Sequence, residues 1–158
     1  VSIQANAQNV SDFSIGDKIT MHSEILDEER ILNVYLPHGY SPDSTKTYPV
    51  IYLLDGSAHE DFIHIAGLVQ FGSYSWINMV PESIVVGIEN VSRNRDFTGE
   101  TRDSLHKNEY PEMGGSANFI TYLDSEVKTY IESNYKTNGD RTIIGQSLGG
   151  LLATEILL

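Results

Sequence analysis

Two unbroken apolar runs, Val50-Ile51-Tyr52-Leu53-Leu54 and Ile84-Val85-Val86-Gly87-Ile88, interrupt a chain in which polar and apolar residues otherwise mix. Neither run alternates, which is the pattern of parallel strands buried on both faces. Before them, residues 18–26 and 31–36 read as a strand pair with the polar Asp27-Glu28-Glu29-Arg30 as hairpin turn, and Pro37, Gly39 and Pro42 then break the chain. Between the two runs, Phe62, Ile65, Ala66 and Val69 recur at helical spacing and predict a helix over residues 59–71. A long polar stretch, residues 89–115, precedes a second amphipathic segment at 116–135, where Phe119, Ile120, Leu123, Val127, Tyr130 and Ile131 share one face. A third β-rich run, Thr142-Ile143-Ile144, leads straight into Gly145-Gln146-Ser147-Leu148-Gly149-Gly150 and an apolar helix.

This alternation of β-rich and helical stretches, without internal repeat or low-complexity linker, predicts one α/β domain over residues 17–158 behind a tail, residues 1–16. The expected architecture is a mostly parallel central sheet with helices on both faces. At 158 residues the chain is long enough to bury one core.

Charge narrows the partners. Ten Lys and Arg against 22 Asp and Glu give a net charge of −12, which repels phosphate backbones and anionic membrane faces and argues against nucleic-acid binding. The absence of cysteine excludes a thiol nucleophile, disulfides and thiolate zinc sites, and no ligand cluster with metal spacing implies a metal or an organic cofactor. No apolar run approaches the roughly 20 residues of a membrane span. Ala5-Asn6-Ala7 has the small-x-small form of a signal-peptidase site and points to a periplasmic or secreted protein, with the cytoplasm as the alternative.

Gly145-Gln146-Ser147-Leu148-Gly149 fits G-x-S-x-G, and its setting between an apolar β-run and an apolar helix is that of a nucleophile elbow. Such a turn holds the serine in a strained conformation with its hydroxyl free for a base and a substrate, while the glycines avoid steric conflict. Acyl transfer also needs amide donors for the oxyanion. The Leu148 N–H is one candidate, and the Ser57 N–H is the other, in an Asp55-Gly56-Ser57 loop where Gly56 permits close backbone approach; an ordinary β-to-α turn is the competing reading there.

Taken together, the Tyr48 to Gly56 run, Ile84 to Ile88, Arg93-Asn94-Arg95-Asp96-Phe97-Thr98, Gly114-Gly115 and the elbow resemble the Putative esterase family of α/β hydrolases. That family includes enterobactin esterases, esterase D, feruloyl esterases and mycolyltransferases, and the trilactone-siderophore branch looks nearest. The resemblance implies an α/β-hydrolase fold, Ser147 as nucleophile, oxyanion donors at Leu148 and Ser57, and a small-molecule ester or thioester as substrate. Gln146 stands where members often carry His, and Gly99 where they often carry Pro, a departure that bears on the substrate. Arg93 and Arg95 either contact an anionic substrate group or pin the long loop by pairing with Asp96 or Glu100.

In this fold the acid and then the histidine of the triad follow the serine along the chain. Eleven residues follow Ser147, none of them histidine, and Glu155, their one acidic residue, lies two turns down the elbow helix. His59 and His106 are candidates for substrate contact rather than for the general base. With no helix stop signal at Ile156-Leu157-Leu158, the chain reads as the fold truncated after the elbow helix, partnered by a missing carboxy-terminal half. The expected activity is serine carboxylester hydrolysis through an acyl-enzyme. An acyltransferase of the same fold and an inactive fragment without its base are the alternatives.

Overall fold

The computed structural model describes residues 9–101 and 103–158, apart from the side chain of His106; the Ala5-Asn6-Ala7 site lies outside the described residues. Five strands, β1 (Asp17–Ser23), β2 (Glu28–Tyr35), β3 (Tyr48–Leu53), β4 (Ile84–Ile88) and β5 (Thr137–Ile144), form one sheet in the order β1-β2-β4-β3-β5. β3 runs parallel to both β4 and β5, but β1 with β2 and β2 with β4 are antiparallel. The sheet is therefore mixed, not mostly parallel. The cause lies in the connections: a short turn reverses the chain after β1, and residues 36–47 join β2 to β3 without a helix, whereas the links from β3 to β4 and from β4 to β5 carry the helices that parallel crossovers need.

Helices cover both faces. On one side α1 (Phe62–Gly72) packs Phe62, Ala66 and Val69 against Tyr35, Ile51, Leu53 and Val85. On the other, the alternate strand residues Leu32, Val34, Val50, Tyr52, Ile84, Val86 and Ile88 meet Phe97, Phe119, Tyr122, Val127, Ile131 and Leu152. This two-sided burial explains why the β3 and β4 segments are apolar without alternation. The polar stretch before residue 116 holds two short helices, α2 (Arg93–Phe97) and α3 (Ser104–Glu109), and the chain closes with α6 (Leu148–Leu157). Among the described residues no helix is long and apolar enough to cross a membrane.

The amphipathic segment at 116–135 is one helical rod in three parts, α4 (Ser116–Tyr122), a π turn (Leu123–Val127) and α5 (Lys128–Asn134). Its buried residues Phe119, Tyr122, Val127 and Ile131 include one step of five positions, which an α-helix cannot keep on one face. The wide turn, closed by the Lys128 N–H donating to the Leu123 carbonyl, absorbs the extra residue.

The first hairpin turns at residues 24–27, not 27–30. Asp27 adopts a positive φ of 53°, and the Glu24 and Ile25 amides donate to Glu126 Oε1 of the π turn at 3.0 and 3.1 Å. Glu28 and Arg30 are drawn into β2 instead, because they belong to a buried ionic network. Arg30 is fully buried and donates to Asp96 Oδ2 and Glu28 Oε1, each at 2.8 Å, and to the Glu89 carbonyl at 3.1 Å. Arg95 closes the circuit, with Nε on Asp96 Oδ1 at 2.7 Å and its two terminal nitrogens on Glu28 at 2.6 and 3.0 Å. The Arg30 guanidinium also lies 5.1 Å from the Phe119 ring centroid, which ties the network to α4.

Arg30→Met leaves the fully buried Asp96 with a single cationic partner and should cost about 3 kcal/mol in urea unfolding, the scale for breaking a buried ion pair. Burial alone raises the Glu28 carboxyl, but hydrogen bonds from Arg95 and Arg30 outweigh it and hold the group below its ordinary value of 4.5. Its contribution to stability is therefore complete above pH 4.5 and lost as pH falls through the lower folded value. Glu28→Gln should flatten the acid limb of a stability-against-pH curve.

Candidate active site

At the carboxyl ends of β3, β4 and β5, two loops meet. The first follows β3: Gly56 N–H donates to the Ile88 carbonyl at 2.9 Å, and the Gly56 carbonyl accepts from Asn33 Nδ2 at 2.9 Å, so the loop is fastened to both β4 and β2. The second is the turn from β5 into α6. There Ser147 takes φ 53° and ψ −119°, a conformation that L-residues avoid and that persists only where its surroundings impose it. A Cβ at position 145 would overlap the Gly149 carbonyl, so only glycine fits where strand and helix close on each other. Ser147 is exposed, and its hydroxyl does not cap α6.

The two loops are tied by Arg93 of α2. Its Nε and Nη2 grip the buried Asp55 carboxylate at 2.7 and 3.0 Å, and Nη2 also donates to the Gln146 carbonyl at 3.3 Å, one residue before Ser147. Asp55, itself at a positive φ of 55°, takes a further hydrogen bond from Asn90 Nδ2 at 2.7 Å. Hydrogen bonding to Asp55 is the main cause that pushes the Arg93 guanidinium above its ordinary value, so the cation is permanent. Gln146 adds a second link by donating Nε2 to Asp61 Oδ2 at 2.9 Å.

The candidate residues thus separate. Ser147, Leu148, Gln146, Gly56 and Arg93 belong to one assembly. The loop-pinning reading suits both arginines, with partners that differ in part: Arg95 takes Asp96 and Glu28, whereas Arg93 takes Asp55. Leu148 is the first residue of α6, so its N–H has no acceptor within the helix. The Ser57 N–H faces the Glu60 Oε2 at 3.4 Å, a long contact within the turn ahead of α1. His59 is exposed in that same turn, and the backbone of position 106 lies in α3. Of the other histidines, His22 sits beside Glu29 on the first hairpin and His64 lies 3.9 Å from Asp61. Glu155 accepts from the buried Ser116 hydroxyl at 2.8 Å, which joins α6 to α4. Among the described residues no group of three His, Asp or Glu side chains is placed to hold a metal.

A cleft of about 300 Å³ opens beside the elbow, lined by Leu148, Asn94, Thr98, Tyr110 and Met113. The last two were invisible to sequence reasoning, which saw only a polar stretch. Asn90 and Glu60 were likewise missed, because neither lies in a periodic element or a motif. A larger cleft of about 730 Å³, lined by Tyr35, His38, Tyr74 and Trp76 among others, lies where β4 begins, at the opposite end of the sheet from Ser147.

The fold is an α/β one, a mixed sheet with helices on both faces, and known proteins share it. The chain belongs to the Putative esterase family, whose model matches residues 23–157. The ferri-bacillibactin esterase BesA of Bacillus subtilis (strain 168) is 31% identical over 168 residues, covering 98% of this chain and 58% of BesA. An IroE-like serine hydrolase from Shewanella oneidensis superposes with a TM-score of 0.78 at 35% identity, covering 90% of this chain and 46% of that one. The BES protein from Bacillus cereus gives a TM-score of 0.77 at 30% identity, covering 99% and 60%. The chain therefore spans 46% to 60% of the length of these relatives.

Arg93→Ala removes three hydrogen bonds and leaves Asp55 buried with Asn90 alone. A loss of about 2 kcal/mol in chemical unfolding is expected, on the scale of hydrogen bonds to charged groups, with Arg93→Lys recovering only part because an ammonium cannot grip both oxygens.

Proposed function

We propose that the protein containing this chain is a serine carboxylester hydrolase with Ser147 as nucleophile. The single observation that carries the reading is the positive-φ turn that presents an exposed Ser147 hydroxyl between β5 and α6. In the reaction, Ser147 Oγ adds to the ester carbonyl carbon as its proton passes to a general base. The carbonyl oxygen becomes an anion, held by the Leu148 N–H and, once it leaves Glu60, the Ser57 N–H. Collapse expels the alcohol, which takes up the proton, and leaves the acyl group on Ser147; water then repeats the sequence and releases the acid.

The chain spans 58% and 60% of two of its relatives, and the order serine, acid, histidine along this fold supports assigning the general base and its acid to the length that the chain does not span. The isolated chain is accordingly an inefficient catalyst, since a serine without a base is a weak nucleophile at neutral pH. The likeness to an IroE-like serine hydrolase supports the serine mechanism, and the likeness to a ferri-bacillibactin esterase supports an iron-siderophore ester as substrate.

Incubation of the full-length protein with a fluorophosphonate should place the adduct on Ser147, and Ser147→Ala should abolish both adduct and ester hydrolysis. An adduct on another residue, or hydrolysis that survives the substitution, refutes the reading.

A further inference from the structure

The cleft beside the elbow is a built feature, and its far wall has no part in the chemistry above. That wall comes from residues 110–113, which leave α3 and return to α4. Three hydrogen bonds fix it to α2 and to Thr98, which caps that helix. Thr98 Oγ1 donates to the Asn94 carbonyl at 2.6 Å and accepts from the Gly114 N–H at 3.3 Å, and the Gly115 N–H donates to the Arg95 carbonyl at 2.9 Å. Asn94 Nδ2 donates to Glu112 Oε1 at 3.1 Å. The approach is close: a Cβ at position 115 would lie 2.7 Å from Arg95 Cγ and 2.9 Å from its carbonyl oxygen, so glycine is required for the wall to sit this near α2.

The result places a tyrosine ring and a thioether opposite Leu148, the residue that follows the nucleophile. The lining joins the apolar bodies of Tyr110, Met113 and Leu148 to only two small polar side chains, Asn94 and Thr98, and both of these are already engaged in fixing the wall. Its volume of about 300 Å³ suits a compact apolar group, and a flexible Met beside an aromatic ring adapts to either a short alkyl chain or a flat ring.

Resting on the esterase reading, we infer that Tyr110 and Met113 determine specificity by receiving an apolar acyl group next to the scissile carbonyl. Burial of that group against the wall favours esters of longer or aromatic acids over acetate. A single methylene in such a pocket is worth about tenfold or more in discrimination, so loss of either side chain should be visible.

The test uses the full-length protein and p-nitrophenyl acetate, hexanoate and benzoate. The ratio of kcat/KM for hexanoate or benzoate to that for acetate should fall about tenfold in Tyr110→Ala and in Met113→Ala, while Tyr110→Phe and Met113→Leu should restore it. Ratios unchanged within about twofold in both alanine variants, with fluorophosphonate labelling of Ser147 intact, overturn the specificity role and leave the esterase reading standing. Absence of the Ser147 adduct in the unsubstituted protein overturns the esterase reading, and this inference with it.

Discussion

The contact between Arg30 and Asp96 is the constraint on which the rest of the molecule depends. Both groups are fully buried, one on a strand and one on a short helix that could not persist alone. Desolvating two ions is costly, and the pair endures because further charged partners offset that cost: Glu28, the Glu89 carbonyl and Arg95 complete a circuit of two cations and two anions, leaving Arg30 Nε without a partner. The circuit holds α2 against the sheet. Since α2 carries Arg93 on one side and the Thr98 contacts on the other, one buried pair positions both the clamp on the elbow and the wall of the neighbouring cleft.

From that anchor the site is assembled by convergence rather than by any one motif. The β3 loop arrives with Asp55, β4 delivers Asn90 shortly after its end, α2 delivers Arg93, and β5 leads into Ser147. Strain at Ser147 and at Asp55 is stored on the two sides of the same guanidinium, which holds the Asp55 carboxylate directly and Ser147 through the carbonyl of the preceding Gln146. A permanently charged, planar cation suits this task, because it satisfies a carboxylate with two nitrogens and still reaches a neighbouring carbonyl.

Much of this was legible from residue order. The continuous apolar runs marked β3 and β4 because both faces of those strands are covered, and the elbow was readable because a β-run, two glycines and an apolar helix are its local requirements. The antiparallel β1–β2 pair was read as a hairpin, but the antiparallel pairing of β2 with β4 was not legible, since strand direction is decided by what the connections contain and not by the strands themselves. The hairpin turn was misplaced for a related reason: Asp27-Glu28-Glu29-Arg30 looks solvated in one dimension, and only the partners 66 and 67 residues away turn Glu28 and Arg30 into strand residues. Tyr110 and Met113 escaped notice because a loop held by glycine contacts and single hydrogen bonds leaves no periodic trace.

The π turn has a consequence for how this chain tolerates change in length. It lets Tyr122 and Val127, five positions apart, look the same way, so the rod is out of step with itself by one residue at that point. Deleting one residue there would restore regular α-helix, and shortening a helix by one residue rotates everything beyond it by about 100° relative to what precedes. With the start of the rod held against Phe97 and its end leading into β5, the regularised helix would satisfy its own hydrogen bonds while turning Ile131 away from the sheet and withdrawing Glu126 from the hairpin amides. Local regularity and global fit are opposed at this turn, and the irregular form is the one compatible with the rest of the protein.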